Sequence, residues 1–170
     1  LKKQLQQRNA VLKQQQTEWL QVWTAGFIKS AEQIHKYRTD YLAQFTPVFF
    51  DVLSQLDADL DVSLNYYPGW ERNSELKDIL IKQQDRDLEL GYTQAGPQRA
   101  ELRIKVGKVN AADILSRGQQ KSVVAALKIA QGALLKAKTG ISTIYLVDDL
   151  ASELDEKHRL AFCKLLEDLE

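Results

Sequence analysis

A single cysteine, Cys163, stands in this chain of 170 residues, which excludes an internal disulfide framework and fits a reducing compartment. No apolar run approaches the length needed to span a bilayer, so a transmembrane subunit is not expected. The chain starts at Leu1 without an initiator methionine or a signal-peptide pattern, and a piece of a longer protein is the expectation. There is no internal repeat, and the only biased tract is the glutamine-rich "QLQQRNAVLKQQQ". The formal net charge is zero, yet the composition, 44% hydrophobic and 27% charged, is that of a soluble globular domain. The length suits one compact body with an appended helical subdomain and is too short for two full domains.

The charges are segregated along the chain. Residues 1–50 hold seven Lys and Arg against three acids, and residues 51–90 hold four against ten. Residues 91–140 hold nine against two, and residues 141–170 three against eight. A basic segment can meet phosphates or serve as a solvated face balanced by its neighbours, and the sequence leaves both open.

Residues 1–60 read as long helices, with Leu5, Leu12 and Trp19 seven apart as in a coiled-coil or hairpin seam. Gly26 marks a plausible break before a stretch in which Ile34, Tyr41, Phe45, Phe49, Val52 and Leu56 keep helical spacing as packing residues. Thr46-Pro47 either caps a new helix or kinks a continuous one. Val62, Leu64 and Tyr66 alternate as in a short strand, and "YYPGW" supplies a turn. A charged helix through Leu76, Ile79, Leu80 and Gln83 should stop near Gly91. Leu102, Ile104 and Val106 predict a strand entering a turn at Gly107-Lys108. A helix over about 117–137, a buried strand "ISTIYLV" and a helix from about 156 follow. Strand, helix, buried strand, helix predicts an α/β body with a parallel sheet: a helical lobe over 1–90 joined to part of an ATPase-like lobe over 91–170.

Three motifs bear on chemistry. "LSRGQ" opens the helix at 117, and Ser116 with Gln119 has the form of a capping box. The cap does not explain Gly118, which weakens a helix interior by about 1 kcal/mol relative to alanine and a first turn by less. A bare helix start with a serine is also an anion site, where free amides and the positive dipole end face a ligand. "IYLVDD" ends an apolar run with Asp148 and Asp149, and paired acids at the mouth of a parallel strand face the ligand crevice. One such acid can hold Mg²⁺ through water while the next polarises the water that attacks a γ-phosphate. "ASELD" follows at 151–155, where Asp155 fits an N-cap for the last helix.

In this order and spacing the motifs resemble the signature, Walker B and D-loop of the ABC ATPase superfamily. The arginine inside the signature, the paired Asp and "GPQRAEL" at 96–102 are similar to the bacterial recombination-mediator ATPases of that superfamily, which are related to the SMC and Rad50 proteins. The likeness covers about residues 91–156, and the preceding helices suit the helical second lobe of that family. The fold implied is α/β: a partial ABC-type P-loop ATPase lobe with an appended long-helix lobe. The resemblance implies an ATP-dependent homodimer with two nucleotides held between the Walker A of one subunit and the signature of the other. Ser116, Gly118 and Gln119 would then contact the γ-phosphate across the interface, with Arg117 at the signature's variable position. Asp148 would bind Mg²⁺ through water, Asp149 would take the place of the catalytic carboxylate, and Ser152 and Asp155 would belong to the loop coupling the two sites.

The function implied is DNA replication and recombinational repair, including the SOS response, by a cytoplasmic bacterial protein. It would bind single-strand gaps or ss-dsDNA junctions, act as a weak DNA-dependent ATPase, and work with mediator partners such as RecR to load recombinase. This chain departs from the pattern in three ways. Walker A and the Q-loop are absent, so the chain by itself is not expected to hydrolyse ATP. The second acid is Asp rather than the Glu common in ABC proteins, which fits slow turnover. Gln98 stands where the family often has His. The alternatives are another SMC- or Rad50-like ATPase, a transporter nucleotide-binding subunit, and a helical interaction module whose motifs are only caps and surface acids. Long helices and the signature arginine count against the transporter, and a helical region too short for long arms counts against an SMC protein.

Overall fold

The computed structural model describes residues 1–148 and 156–167. Its elements in order are α1 (Lys2–Lys13), α2 (Thr17–Leu56), β1 (Ser63–Tyr67), α3 (Leu76–Lys82) and α4 (Gln84–Leu90). A 3-10 turn (Pro97–Arg99) leads to β2 (Glu101–Val106), β3 (Val109–Asn110), α5 (Ala111–Ile114), α6 (Arg117–Thr139) and α7 (Glu156–Glu167). The strands form one sheet in the order β1-β2-β3, and β2 pairs antiparallel with β3 in the register Val106↔Val109. The turn predicted at Gly107-Lys108 joins them.

Two compact units are each assembled from separated stretches: Leu1–Thr39 with Asn65–Arg103, and Asp40–Leu64 with Ile104 onward. In the first unit Phe27, Ala31, Trp70, Leu76, Leu80 and Ala95 form one apolar cluster, and Val11, Leu12 and Leu20 form another. Arg8 lies among them, 1% exposed. Its Nη1 donates to Asp87 Oδ2 at 2.8 Å and to the Thr93 hydroxyl, and its Nε donates to Thr24 Oγ1 at 3.0 Å. Asn9 Oδ1 accepts from Thr93 N at 2.9 Å, so α1 is tied to α4 and the segment after it at two successive residues. Gly69, in the "YYPGW" turn, has φ +100°, and a Cβ there would lie 1.9 Å from the Gly96 carbonyl oxygen. That close approach places the Gly69 carbonyl to accept from Gly96 N at 3.1 Å.

The core of the second unit runs along the C-terminal part of α2 and the inner face of α6. Phe45, Phe49, Val52, Leu53 and Leu56 pack with Val123, Ala126, Ile129, Ala130 and Leu134, and Phe162 and Leu165 of α7 close the cluster. Tyr41, 41% exposed, stacks on Phe45 with ring centroids 5.5 Å apart.

Three expectations are corrected. Helix α2 runs unbroken through Gly26. Of the two readings left open at Thr46-Pro47, the continuous helix holds, since Pro47 lies inside α2; it costs one backbone donor, and Phe45 and Phe49 are buried on either side. The heptad through Trp19 is interrupted because α1 ends at Lys13 and α2 begins at Thr17. The turn between them resets the helical phase, leaving Trp19 55% exposed while Leu20 is buried at 3%. Finally, 141–147 takes no strand conformation, and Ile144 and Leu146 are 87% and 95% exposed. A strand needs a neighbour's edge for its hydrogen bonds, and the described sheet contains only β1, β2 and β3. The β2–β3 ladder is antiparallel, as its two-residue turn requires. The charged helix to Gly91 is present as two pieces, α3 and α4, meeting at Gln83.

Candidate functional site

Helix α6 starts as its sequence requires. Ser116 is the N-cap, its Oγ accepting from Gln119 N at 3.3 Å while Gln119 Oε1 accepts from Ser116 N at 3.0 Å. This is the reciprocal capping box. The following Gln120 donates through Nε2 to the carbonyls of Leu115 at 2.9 Å and Ala112 at 3.1 Å, so α5 and the start of α6 are held as one piece. Behind the cap, Leu115, Ser122 and Val123 are buried. The site is therefore a fixed edge of the second unit.

The cap and the anion-site readings are compatible. Within the box the Ser116 hydroxyl acts as an acceptor and keeps its own hydrogen, and Gln119 uses its carbonyl oxygen and keeps both amide hydrogens. The N–H groups of Arg117 and Gly118, at the first two helical positions, have no carbonyl to reach within the helix. Ser116, Arg117 and Gly118 are all exposed. Four donor groups thus surround the positive end of a helix of 23 residues. At Gly118 a Cβ would meet nothing nearer than Ser116 Oγ at 4.0 Å. Among the described residues no contact requires glycine there.

Along α6 the outward side borders an open groove of about 970 Å³ whose far wall is the 143–148 segment. Arg117, Lys121 and Lys128 line one side, and Asp148 lies at the end of the other. The structure therefore brings Arg117 and Asp148 to one groove, while Ser116, Gly118 and Gln119 sit at the helix start beside it. Asp148 is exposed. Among the described residues no three His, Cys, Asp or Glu side chains gather as a metal-binding group. Asp149, Ser152 and Asp155 lie outside the described residues.

The 141–148 segment is held against α6 through a residue the motifs did not single out. Tyr145 Oη donates to the Ile129 carbonyl at 3.2 Å, and burial pushes its phenol above the ordinary tyrosine value, with a hydrogen bond to Thr143 acting the other way. Its ring end occupies the place where a side chain at Gly132 would be, since a Cβ there would come within 1.8 Å of the hydroxyl. The available signal was Gly132 itself, a glycine in the middle of an otherwise favourable helix. The Arg8–Asp87 pair left no signal in the sequence, because its members are 79 residues apart.

No family model matches this chain. It is 48% identical over 172 residues to the DNA replication and repair protein RecF of Pseudomonas paraeruginosa strain PA7, covering 99% of this chain and 46% of that protein. It is also 48% identical over 171 residues to the protein of the same description from Pseudomonas fluorescens strain Pf0-1, covering 99% of this chain and 47% of the relative. The chain thus spans about half the length of the curated relatives it matches. Among solved structures it superposes on the recombination mediator protein RecF-ATP in the RecFOR pathway with a TM-score of 0.83 at 24% identity, over 99% of this chain and 48% of that one. The RecF-ATPrS structure gives 0.81, also at 24% identity, over 96% and 48%. These structures establish the likeness of fold, a partial ABC ATPase with its helical part.

Proposed function

We propose that this chain, similar along 99% of its length to part of the RecF relatives, belongs to a protein of that family that closes on DNA as an ATP-dependent dimer during replication and recombinational repair. One observation carries the reading: Gly118 is exposed, a Cβ there would meet nothing nearer than Ser116 Oγ at 4.0 Å, and it stands in a helix start flanked by the exposed Ser116 and Arg117. A glycine that no described contact requires, at an end that binds anions, is accounted for by a phosphate arriving from a second molecule. In this reading the Ser116 hydroxyl, the Gln119 amide and the N–H groups of Arg117 and Gly118 donate to the γ-phosphate of a nucleotide cradled by the partner. Arg117 adds a fixed positive charge beside it.

Mg²⁺ suits the acid that is present. It retains several waters and takes one or two carboxylates together with substrate phosphates, so a single exposed Asp148 is an adequate protein ligand through water. Bound there, the ion would neutralise charge on the phosphates. Asp149 is proposed to orient the attacking water, and its short side chain is consistent with slow hydrolysis. Ser152 and Asp155 are proposed to couple the two nucleotide sites. Residues 1–90 would serve as the helical lobe and 91–170 as part of the ATPase lobe. No described helix is long and apolar enough to cross a membrane, and a cytoplasmic location is proposed. Gapped or junction DNA is the proposed substrate, and the pathway in which RecF is described makes RecR a proposed partner.

The test is molar mass by light scattering of the whole RecF-length protein, with and without ATP and Mg²⁺. Wild type is expected to double in mass with nucleotide, and Gly118→Ala and Ser116→Arg to remain monomeric. Gly118→Ala should also melt at or slightly above the wild-type temperature, because alanine favours the helix by up to about 1 kcal/mol. A wild-type mass indifferent to ATP would overturn the reading, as would a Gly118→Ala protein that dimerises normally.

A further inference from the structure

We infer that the outward face of α1 is a binding surface for the phosphate backbone of duplex DNA. No Asp or Glu occurs in the first 17 residues of the chain. Lys2, Lys3, Gln6, Gln7, Ala10 and Lys13 are all exposed, and at 3.6 residues per turn they fall within an arc of about 140°. The opposite arc holds the residues that anchor the helix, Val11, Leu12 and Arg8. Arg8 is spent on Asp87 inside the unit, so the helix divides its cations cleanly into one buried and three displayed.

That face is held rigid. The Arg8–Asp87 bond and the Asn9–Thr93 bond fix the middle of α1. At its end the stem of Lys13 lies against Gly91, where a Cβ would come within 3.1 Å of Lys13 Cγ. A preorganised row of donors binds with less loss of side-chain freedom than a mobile one. From Lys2 to Lys13 the helix rises about 16 Å, which matches the span of about five phosphates on one strand. The unit that carries α1 holds 13 Lys and Arg against 9 Asp and Glu, whereas the other unit holds 10 against 14. Lysine and glutamine side chains both donate to phosphate and sugar oxygens. An anionic membrane would call for apolar side chains on the same face, and α1 offers only Ala10 there.

This inference rests on the DNA-binding reading above and can fail apart from it. The experiment measures affinity of the whole RecF-length protein for a fluorescent gapped duplex, with ATP and Mg²⁺, across a salt series. Wild type is compared with Lys2→Gln/Lys3→Gln/Lys13→Gln and with the triple Lys→Arg variant. The glutamine variant is expected to bind about tenfold or more weakly at low salt. Its slope of log affinity against log salt should be shallower by up to about 2.7, close to 0.9 for each phosphate that is no longer neutralised. The arginine variant should behave as wild type. The ATP-dependent mass should be the same in all three, because these lysines are remote in sequence from the signature. A glutamine variant with wild-type affinity and slope and a normal ATP-dependent dimer would overturn the inference alone. Loss of binding to phosphatidylserine vesicles with DNA affinity unchanged would overturn it in favour of a membrane.

Discussion

At Gly26, inside α2, an added Cβ would meet only Gln4 Cγ at 3.8 Å, an ordinary van der Waals distance. Gly26→Ala is therefore expected to stabilise the protein by about 0.5–1 kcal/mol, through loss of unfolded-state freedom and better helix propensity. Urea denaturation should show a higher midpoint with an unchanged slope, and a lower midpoint would mean that a neighbour crowds the position. Gly118 differs although its surroundings are just as open. Neither glycine is required by a described contact, and only Gly118 stands at an exposed helix start. Stability and nucleotide response should therefore move together at neither position. The sequence shows both glycines, and only the structure shows which kind of space each one faces.

Among the elements, α1 owes its place to charge as well as to apolar packing. Arg8 and Asp87 are 1% and 0% exposed, and each satisfies further hydrogen bonds. Removing one partner strands the other, so Arg8→Met is expected to cost about 3–5 kcal/mol. Pairing it with Asp87→Leu should recover part of that loss, because no charge is then left buried. A double-mutant cycle by denaturation checks this, and simple additivity would show that the two residues do not act as a pair. Helix α6 carries the cap at one end and seats Tyr145 near the other. Gly132→Ala would favour the helix by propensity alone, yet it drives a methyl group into the Tyr145 ring end. A net loss of about 1–3 kcal/mol is expected from overpacking. In a Tyr145→Leu background the same change should become neutral or stabilising, which thermal melting of the four proteins would establish.

On the scale of the whole molecule, the 141–147 run is an apolar, β-branched segment left largely uncovered in this chain. Exposed segments of that kind template pairing with other chains. The 170-residue chain is expected to self-associate with rising concentration, and Ile144→Lys with Leu146→Lys to suppress this. Sedimentation velocity over a concentration series decides it, and a wild-type chain that stays monomeric would count against the exposure described. Much of the candidate site was legible in advance: the capping box stands at Ser116 and Gln119, and α6 follows from 117 as expected. The Asp148 end of the groove was legible as an acid after an apolar run, but the conformation of that run was not.

The sequence by itself determined what depends on near neighbours along the chain. Helix period, the Ser116 cap, the stops at Gly91 and Gly140, and the β2–β3 turn at Gly107 are closed by bonds between residues a few positions apart. The order of the signature-like, Walker B-like and D-loop-like motifs is likewise a property of the chain. Tertiary structure alone decided what depends on distant partners. It turned Trp19 outward and Leu20 inward after the turn between α1 and α2, buried Arg8 by supplying Asp87, and fitted Tyr145 to Gly132. It also withheld strand form from 141–147, because a helix makes its own hydrogen bonds whereas a strand must borrow them from another segment.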